Sequence, residues 1–216
     1  MNDAGARLTL LVNPHAPSGA LLDASRLREI AAGIHGLLLV DEAYIDFVDP
    51  VLAHDCIGMV REFDNVIILR SLSKGYSLAG LRFGYGIADA TLVRPMLEKT
   101  RDSYNLDYIS QKIAEAALDD VQWSRETWRK VREEREKLAT ALRTLGWTVY
   151  PSQTNFLLAT LPEAPGAEAT YRLLKDQGIL VRYFNEPRLA DKLRISVGTP
   201  EENAQLLAAI ESIFTR

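Results

Sequence analysis

The chain has 216 residues, enough for one large domain or a domain and a half, and 47% of them are apolar, which allows a sizeable core. A net charge of −4 with scattered arginines argues against nucleic acid as a partner. The single cysteine excludes an internal disulfide. With neither a signal peptide nor an apolar run long enough to cross a membrane, we expect a cytoplasmic protein.

The first part of the chain alternates short apolar runs with helical patterns. Such alternation predicts a mostly parallel α/β sheet whose strands are buried on both faces. A helix is predicted over Asp23–Gly33, and the pattern becomes helical after Thr91, continuing through Gln111–Leu118. The predicted strands are Leu8–Val12, Leu37–Val40, Val66–Leu69 and Phe83–Ala88.

A long charged segment, Ser124–Leu145, reads as a helix that Gly146 ends. Its apolar stripe has helical spacing, but Arg135 interrupts it at a stripe position. Helices of this length commonly connect two domains. We therefore divide the chain into residues 1–120, a connecting helix over 121–146, and a smaller α/β domain over 147–216.

The last part of the chain predicts a second sheet with two helices. The final helix has Thr199 and Pro200 at its start, as an N-cap and a first-turn proline. The predicted strands are Trp147–Tyr150, Asn155–Thr160, Ile179–Tyr183 and Leu193–Val197, and the predicted helices are Glu168–Gln177 and Glu201–Phe214.

Polar clusters follow three of the predicted strands. Asn13 begins the first cluster, Asp41 and Tyr44 belong to the second, and Ser71-Leu72-Ser73-Lys74 forms the third, with Arg82 eight residues later. Open α/β sheets place ligands at the carboxyl ends of their strands, so we expect the three clusters to share one site.

The residue types of these clusters suit pyridoxal 5′-phosphate. A lysine amine can form a Schiff base with its aldehyde and later act as a base. A carboxylate keeps the pyridine nitrogen protonated, an amide and a phenol can bind the 3-oxygen, and hydroxyls with a guanidinium can hold the phosphate. Taken alone, each cluster is more often an ordinary turn or a solvated loop. Their joint occurrence carries the interpretation.

The chain resembles the fold-type I aminotransferases of class I/II, and most closely the histidinol-phosphate aminotransferases, from about Leu8 to the C-terminus. The similarity implies a PLP-dependent transferase-like fold, with part of the large domain in residues 1–120 and the small domain in 147–216. The motifs that carry it are Ser71–Lys74, Gly80–Tyr85, Gly178–Arg182 and Leu193–Thr199.

The resemblance also implies a role for each candidate residue. Lys74 would form the Schiff base, Asp41 would face the pyridine nitrogen, and Asn13 and Tyr44 would bind the 3-oxygen. Ser71, Ser73 and Arg82 would hold the phosphate, and Arg194 would bind the anionic group of the substrate. Arg182 is either a second substrate ligand or a paired structural arginine. We expect no metal ligation by His35 or His54, because neither shows metal-ligand spacing.

The implied reaction transfers an amino group from histidinol phosphate to 2-oxoglutarate, in a homodimer. Threonine-phosphate decarboxylase, another class I/II aminotransferase and a truncated, non-catalytic remnant are the alternatives. The chain resembles only about the last three-fifths of family members. We therefore expect an open sheet edge, self-association and at best weak activity.

Overall fold

The computed structural model describes residues 5–215 and divides into two compact units. The first unit contains the chain up to Ala16 together with Leu21–Trp128. The second contains Pro17–Ala20 and the chain from Arg129 onward. Among residues 5–215, no helix combines the length and the apolar composition that crossing a membrane requires.

The first unit is built on a four-stranded sheet whose spatial order equals its chain order. Its strands are β1 (Leu8–Val12), β2 (Leu37–Asp41), β3 (Val66–Ser71) and β4 (Gly84–Ala88). Its helices are α1 (Ala24–Gly33), α2 (Met59–Glu62), α3 (Ala90–Lys99), α4 (Tyr108–Asp119) and the first turns of α5 (Val121–Thr144).

Strands β1, β2 and β3 pair in parallel, and β4 pairs antiparallel to β3. The prediction of a mostly parallel α/β sheet is therefore confirmed. Asp23 caps the start of α1, where its carboxylate accepts a hydrogen bond from the backbone N–H of Arg26 at 2.7 Å.

The core of the first unit lies around β2 and β3. Leu38 and Val40 of β2 and Ile68 of β3 are fully buried, together with Leu27 of α1. The prediction that every strand is buried on both faces is wrong for the two outer strands. On β1, Leu8 and Leu10 are 51% and 57% exposed, because no part of residues 5–215 covers these side chains.

Replacing Leu38 with alanine is expected to lower the free energy of unfolding by about 2–5 kcal/mol, because it leaves a cavity at a fully buried position of a central strand. Leu8→Ala, at a half-exposed position on the outer strand, is the matched control and is expected to cost about 0.5 kcal/mol or less. Urea unfolding followed by circular dichroism measures both. Equal losses for the two variants would contradict this account of the core.

The second unit is built on a wholly antiparallel sheet in the order β5-β6-β8-β7. A capping box starts its last helix, where Thr199 and Glu202 each bind the other's backbone N–H. The remaining elements are β5 (Thr148–Val149), β6 (Phe156–Thr160), α6 (Ala167–Asp176), β7 (Arg182–Tyr183), β8 (Lys192–Ser196) and α7 (Pro200–Phe214).

Arg135, the charge that interrupts the apolar stripe of α5, is only 2% exposed. Its Nη1 donates a hydrogen bond to the backbone carbonyl of Thr154 at 3.0 Å. Leu138 and Leu142, one and two turns further along, are buried against the sheet of the second unit. The arginine thus serves as a buried donor within the interface that the stripe forms.

The predicted strand over Ile179–Tyr183 is shorter in the structure, where only Arg182 and Tyr183 pair in the sheet. The preceding residues finish helix α6 instead. Gly178 adopts a positive φ of 79°, and the backbone N–H of Ile179 binds the carbonyl of Leu174 at 2.9 Å. The apolar residues at the end of α6 therefore have the sequence pattern of a strand without forming one.

Candidate active site

Three long loops leave the carboxyl ends of β1, β2 and β3, over residues 13–23, 42–58 and 72–83. The parallel register aligns Val12 with Asp41, and Asp41 with Leu69. Asn13, Asp41 and Ser71 consequently lie along one edge of the sheet. The structure brings the three sequence clusters together as expected for neighbouring parallel strands.

The side chain of Asn13 is almost completely buried and holds the first loop closed. Its Oδ1 accepts a hydrogen bond from the backbone N–H of Leu22 at 2.7 Å, and its Nδ2 donates to the carbonyl of Leu22 at 3.0 Å. Its backbone N–H binds the carbonyl of Asp41 at 2.9 Å. One amide hydrogen of Nδ2 remains for a ligand.

Asp41, at the last position of β2, turns the chain into the second loop. Its Oδ1 accepts a hydrogen bond from the backbone N–H of Ala43 at 3.0 Å, an arrangement that fixes the direction of the carboxylate. Tyr44 follows in the same turn. The Nζ of Lys74 lies 5.7 Å from the centre of the Tyr44 ring, so the structure brings the second and third clusters into contact.

Ser71 is the last residue of β3, and the third loop holds Ser73 and Arg82. Ser71 Oγ accepts a hydrogen bond from the backbone N–H of Ser73 at 3.1 Å, and the N–H of Leu72 binds the carbonyl of Phe83 at 3.1 Å. Arg82 has a positive φ of 58°, and its Nη1 donates to the carbonyl of Ala79 at 2.9 Å. A left-handed arginine is a strained conformation of the kind that concentrates at functional sites.

The sequence does not predict the contacts around Gly75, the residue that follows Lys74. Its carbonyl accepts a hydrogen bond from Trp128 Nε1 at 2.7 Å, and Trp128 also meets the ring of Tyr76 edge to face. A Cβ added at Gly75 would collide with the carboxylate of Asp46. Trp128 lies in the predicted helix Ser124–Leu145, but nothing in the sequence pairs it, or Asp46, with Gly75.

The carboxyl group of Asp46, which lies beside Gly75, has a raised pKa. Burial raises the pKa of Asp46 to about 6 from 3.8, and the attraction of Arg70 opposes this shift only in part. Folding therefore favours the protonated carboxyl. Stability from this group is complete below about pH 4 and is lost as the pH rises through about 6.

Asp46→Asn is expected to have a higher free energy of unfolding than the wild type, and the difference should grow as the pH increases from 4 to 7. The shift from 3.8 to about 6 corresponds to a gain of about 3 kcal/mol at neutral pH and almost none at pH 4. Urea unfolding across this pH range measures the difference. Asp64→Asn, in an exposed turn, is the control and should keep the wild-type pH dependence. A parallel pH profile for Asp46→Asn and the wild type would contradict the assignment.

A second acid, Glu42, is the first residue of the loop over residues 42–58, which also contains Asp46, and its side chain is buried. Its Oε2 accepts a hydrogen bond from the Nε of Arg70 at 2.9 Å and forms an ion pair with the Nη2 at 2.8 Å. Burial raises the pKa of Glu42, while the Arg70 guanidinium opposes that rise. Arg70 thereby fixes the strand ends of β2 and β3 to each other.

The structure places two possible metal ligands beside His54, although the sequence shows no metal-ligand spacing around it. The Nε2 of His54 lies 3.3 Å from the Sγ of Cys56, and a carboxylate oxygen of Glu42 completes a group whose ligand atoms lie within 4.8 Å of one another. Burial lowers the pKa of His54 and raises that of Cys56 to about 12. Glu42 is distant from the other two in sequence, so spacing could not reveal the group.

The second unit holds the two candidate substrate arginines. Arg182 and Arg194 lie directly opposite each other on β7 and β8. Both guanidinium groups lie over the ring of Phe184, at 5.3 and 5.8 Å, and Arg194 also lies 5.0 Å from the centre of the Phe156 ring. Neither makes an ion pair with an acid in residues 5–215. Like charges at opposite positions repel, so an anion between them would relieve this repulsion.

The donor set in the first unit fits the expected cofactor. It offers an exposed primary amine on Lys74, an oriented carboxylate on Asp41 and a phenol on Tyr44. Arg82 keeps its Nε and Nη2 donors for a phosphate, because only Nη1 is bound to Ala79. These are the groups that a phosphorylated aldehyde with a basic ring nitrogen requires.

Comparison with known proteins identifies the family. The family model described as aminotransferase class I and II matches residues 2–210. The chain is 45% identical over 209 residues to a histidinol-phosphate aminotransferase of Microcystis aeruginosa, covering 97% of this chain and 58% of that protein. A histidinol-phosphate aminotransferase of Nostoc sp. is 42% identical, with 98% and 58% covered.

A solved structure agrees with both relatives. The histidinol-phosphate aminotransferase of Sinorhizobium meliloti, in complex with pyridoxal-5′-phosphate, superposes with a TM-score of 0.90 at 30% identity. The match covers 99% of this chain and 59% of that one, so the chain spans less than two thirds of the relatives it matches. The extent of the family match, from residue 2 to residue 210, shows that the chain belongs to the class I and II aminotransferases.

Proposed function

We propose that this chain carries the cofactor-binding and substrate-binding residues of a histidinol-phosphate aminotransferase that uses 2-oxoglutarate as the amino acceptor in histidine biosynthesis. The observation that carries the proposal is that Lys74 lies near Tyr44, at the carboxyl end of the strand β2, whose last residue is Asp41. Identities of 45% and 42% with histidinol-phosphate aminotransferases support the choice of substrate.

The resident cofactor in this proposal is pyridoxal 5′-phosphate, which when bound supplies a ring that accepts the electrons of the substrate Cα–H bond. Lys74 would hold the cofactor through its amine, and its Nζ, once released by the amine of the substrate, would accept the proton from Cα. Asp41 maintains the positive charge on the ring nitrogen. Asn13 and Tyr44 bind the 3-oxygen. The phosphate ligands are Ser71, Ser73 and Arg82.

Arg194 and Arg182 are the proposed ligands of the anionic group of the substrate. A guanidinium can bind a phosphate ester or a carboxylate bidentately, so one such group can serve both histidinol phosphate and the second substrate. The opposed, acid-free arrangement of these arginines on β8 and β7 supports this role.

We also propose a domain organisation, an oligomeric state and a cellular compartment for this chain. Residues 1–120 would belong to the large domain, 121–146 to the connecting helix and 147–216 to the small domain, and the two separate sheets support this division. We also infer a homodimer in the cytoplasm, supported by the family resemblance and by a single cysteine that is buried and free.

The proposal is tested by incubating the chain with pyridoxal phosphate, histidinol phosphate and 2-oxoglutarate and measuring glutamate. Glutamate that depends on all three components would support it. Carbon dioxide released from threonine phosphate, without glutamate, would favour the decarboxylase alternative. Cofactor binding seen by absorbance, with neither product formed, would favour the non-catalytic alternative. Arg194→Ala is expected to weaken binding of histidinol phosphate without changing cofactor absorbance.

A further inference from the structure

A polar group of three residues lies behind the strand end that carries Asp41. Glu42 follows directly after β2, while His54 and Cys56 come from the far end of the loop over residues 42–58. The Nε2 of His54 and the Sγ of Cys56 are 3.3 Å apart. All three ligand atoms lie within 4.8 Å of one another.

Within residues 5–215, one carboxylate oxygen of this group lacks a hydrogen bond from an N–H or O–H donor. The Glu42 side chain is fully buried, and the Arg70 guanidinium holds its Oε2 through one hydrogen bond from Nε and an ion pair with Nη2. Its other oxygen, Oε1, makes no N–H or O–H hydrogen bond within residues 5–215, and the neighbouring thiol of Cys56 interacts with the carboxylate. An unsatisfied buried carboxylate oxygen is costly, so a ligand that binds it would stabilise the fold.

The three side chains offer the donor types that zinc prefers. A thiolate, an imidazole nitrogen and a carboxylate oxygen are all common zinc ligands. In a tetrahedral site, Zn–S and Zn–N bonds of about 2.3 and 2.0 Å separate sulfur from nitrogen by about 3.5 Å. The 3.3 Å separation of His54 and Cys56 is close to that value.

The charges also suit a divalent cation. Glu42, together with Cys56 once the ion displaces its thiol proton, supplies two negative charges, and a neutral imidazole of His54 is the form that ligates zinc. Arg70 stays on Oε2 and needs no rearrangement, because the oxygen that lacks an N–H or O–H donor within residues 5–215 is Oε1.

We propose that Glu42, His54 and Cys56 form a zinc-binding site, with solvent in the fourth position. An ion bound here joins the end of the loop that contains Tyr44 to its beginning at β2. The site makes no use of the cofactor ligands, so it stands whether or not the chain is an aminotransferase.

Cobalt(II) titration of the metal-free, reduced chain tests the proposal. We expect tetrahedral d–d absorption and a thiolate-to-cobalt charge-transfer band that saturate at one ion per chain and are displaced by Zn²⁺. The chain has one cysteine, so a charge-transfer band can arise only from Cys56. Zn²⁺ is also expected to raise the melting temperature, because it binds the folded state.

Two variants and a control sharpen the result. Cys56→Ser keeps the size of the side chain and should abolish the charge-transfer band. His54→Ala should weaken cobalt binding by at least about 10-fold, since the loss of even an outer partner costs that much. His35→Ala, in the turn at the opposite end of β2, should bind like the wild type. Absence of saturable binding by the wild type, absence of the charge-transfer band, or binding unaffected by His54→Ala would overturn the proposal.

Discussion

Replacing Lys74 with alanine is expected to abolish covalent attachment of pyridoxal phosphate to this chain. Lys74 presents an exposed amine near Tyr44, in the loop that follows Ser71 at the end of β3. Its removal takes away the amine that the sequence motif and the structure both place with the candidate ligands. In the wild type, borohydride reduction followed by peptide mapping should find the label on the peptide containing Lys74.

Two other lysines serve as matched controls for this experiment. Lys112 is held by Glu115 in an ion pair of 2.6 Å, and Lys99 lies at the end of α3. Lys112→Ala and Lys99→Ala should both retain the borohydride-fixed label. A label found on Lys99 or Lys112 in the wild type would remove Lys74 from its proposed role.

Replacing Asp41 with alanine is expected to lower the rate of Cα proton removal by about a hundredfold or more, the scale for losing one oriented electrostatic contact. Cofactor attachment through Lys74 should survive, because the amine is untouched. Single-turnover absorbance changes measure the rate in a form of the protein with measurable activity, and borohydride labelling measures attachment.

Asp41→Asn separates charge from hydrogen bonding at this position. An asparagine oxygen can still accept the bond from the Ala43 backbone N–H, which Asp41 Oδ1 accepts at 3.0 Å. If charge is what matters, asparagine should be as slow as alanine. Wild-type rates in either variant would show that Asp41 does not hold the proton on the ring nitrogen.

The positions of the four strands in the first unit could be predicted closely from the sequence. Continuous apolar runs bounded by turn residues mark strands of a parallel sheet, and polar residues directly after them must lie at the carboxyl edge. That reasoning was enough to place Asn13, Asp41 and Ser71 together. The proximity of Lys74 to Tyr44, at 5.7 Å from its ring centre, is a detail that the structure adds.

The contacts within the loops could not be predicted, because they join residues that no periodicity relates. Asn13 closes its loop on Leu22, and Asp46 packs against Gly75. The meeting of Glu42 with Cys56 depends on how seventeen loop residues, 42–58, fold back on themselves. Side-chain hydrogen bonds of this kind depend on tertiary geometry rather than on local propensity.

The connecting segments at the two ends of the parallel strands differ in length, and therefore in how much sequence change they can tolerate. At the amino ends, α1 and β2 are joined by residues 34–36, and α2 and β3 by residues 63–65. At the carboxyl ends, the loops over residues 13–23, 42–58 and 72–83 are several times longer. New specificities can therefore arise by altering the long loops while the short ones preserve the scaffold, so libraries aimed at a different substrate belong at the carboxyl ends.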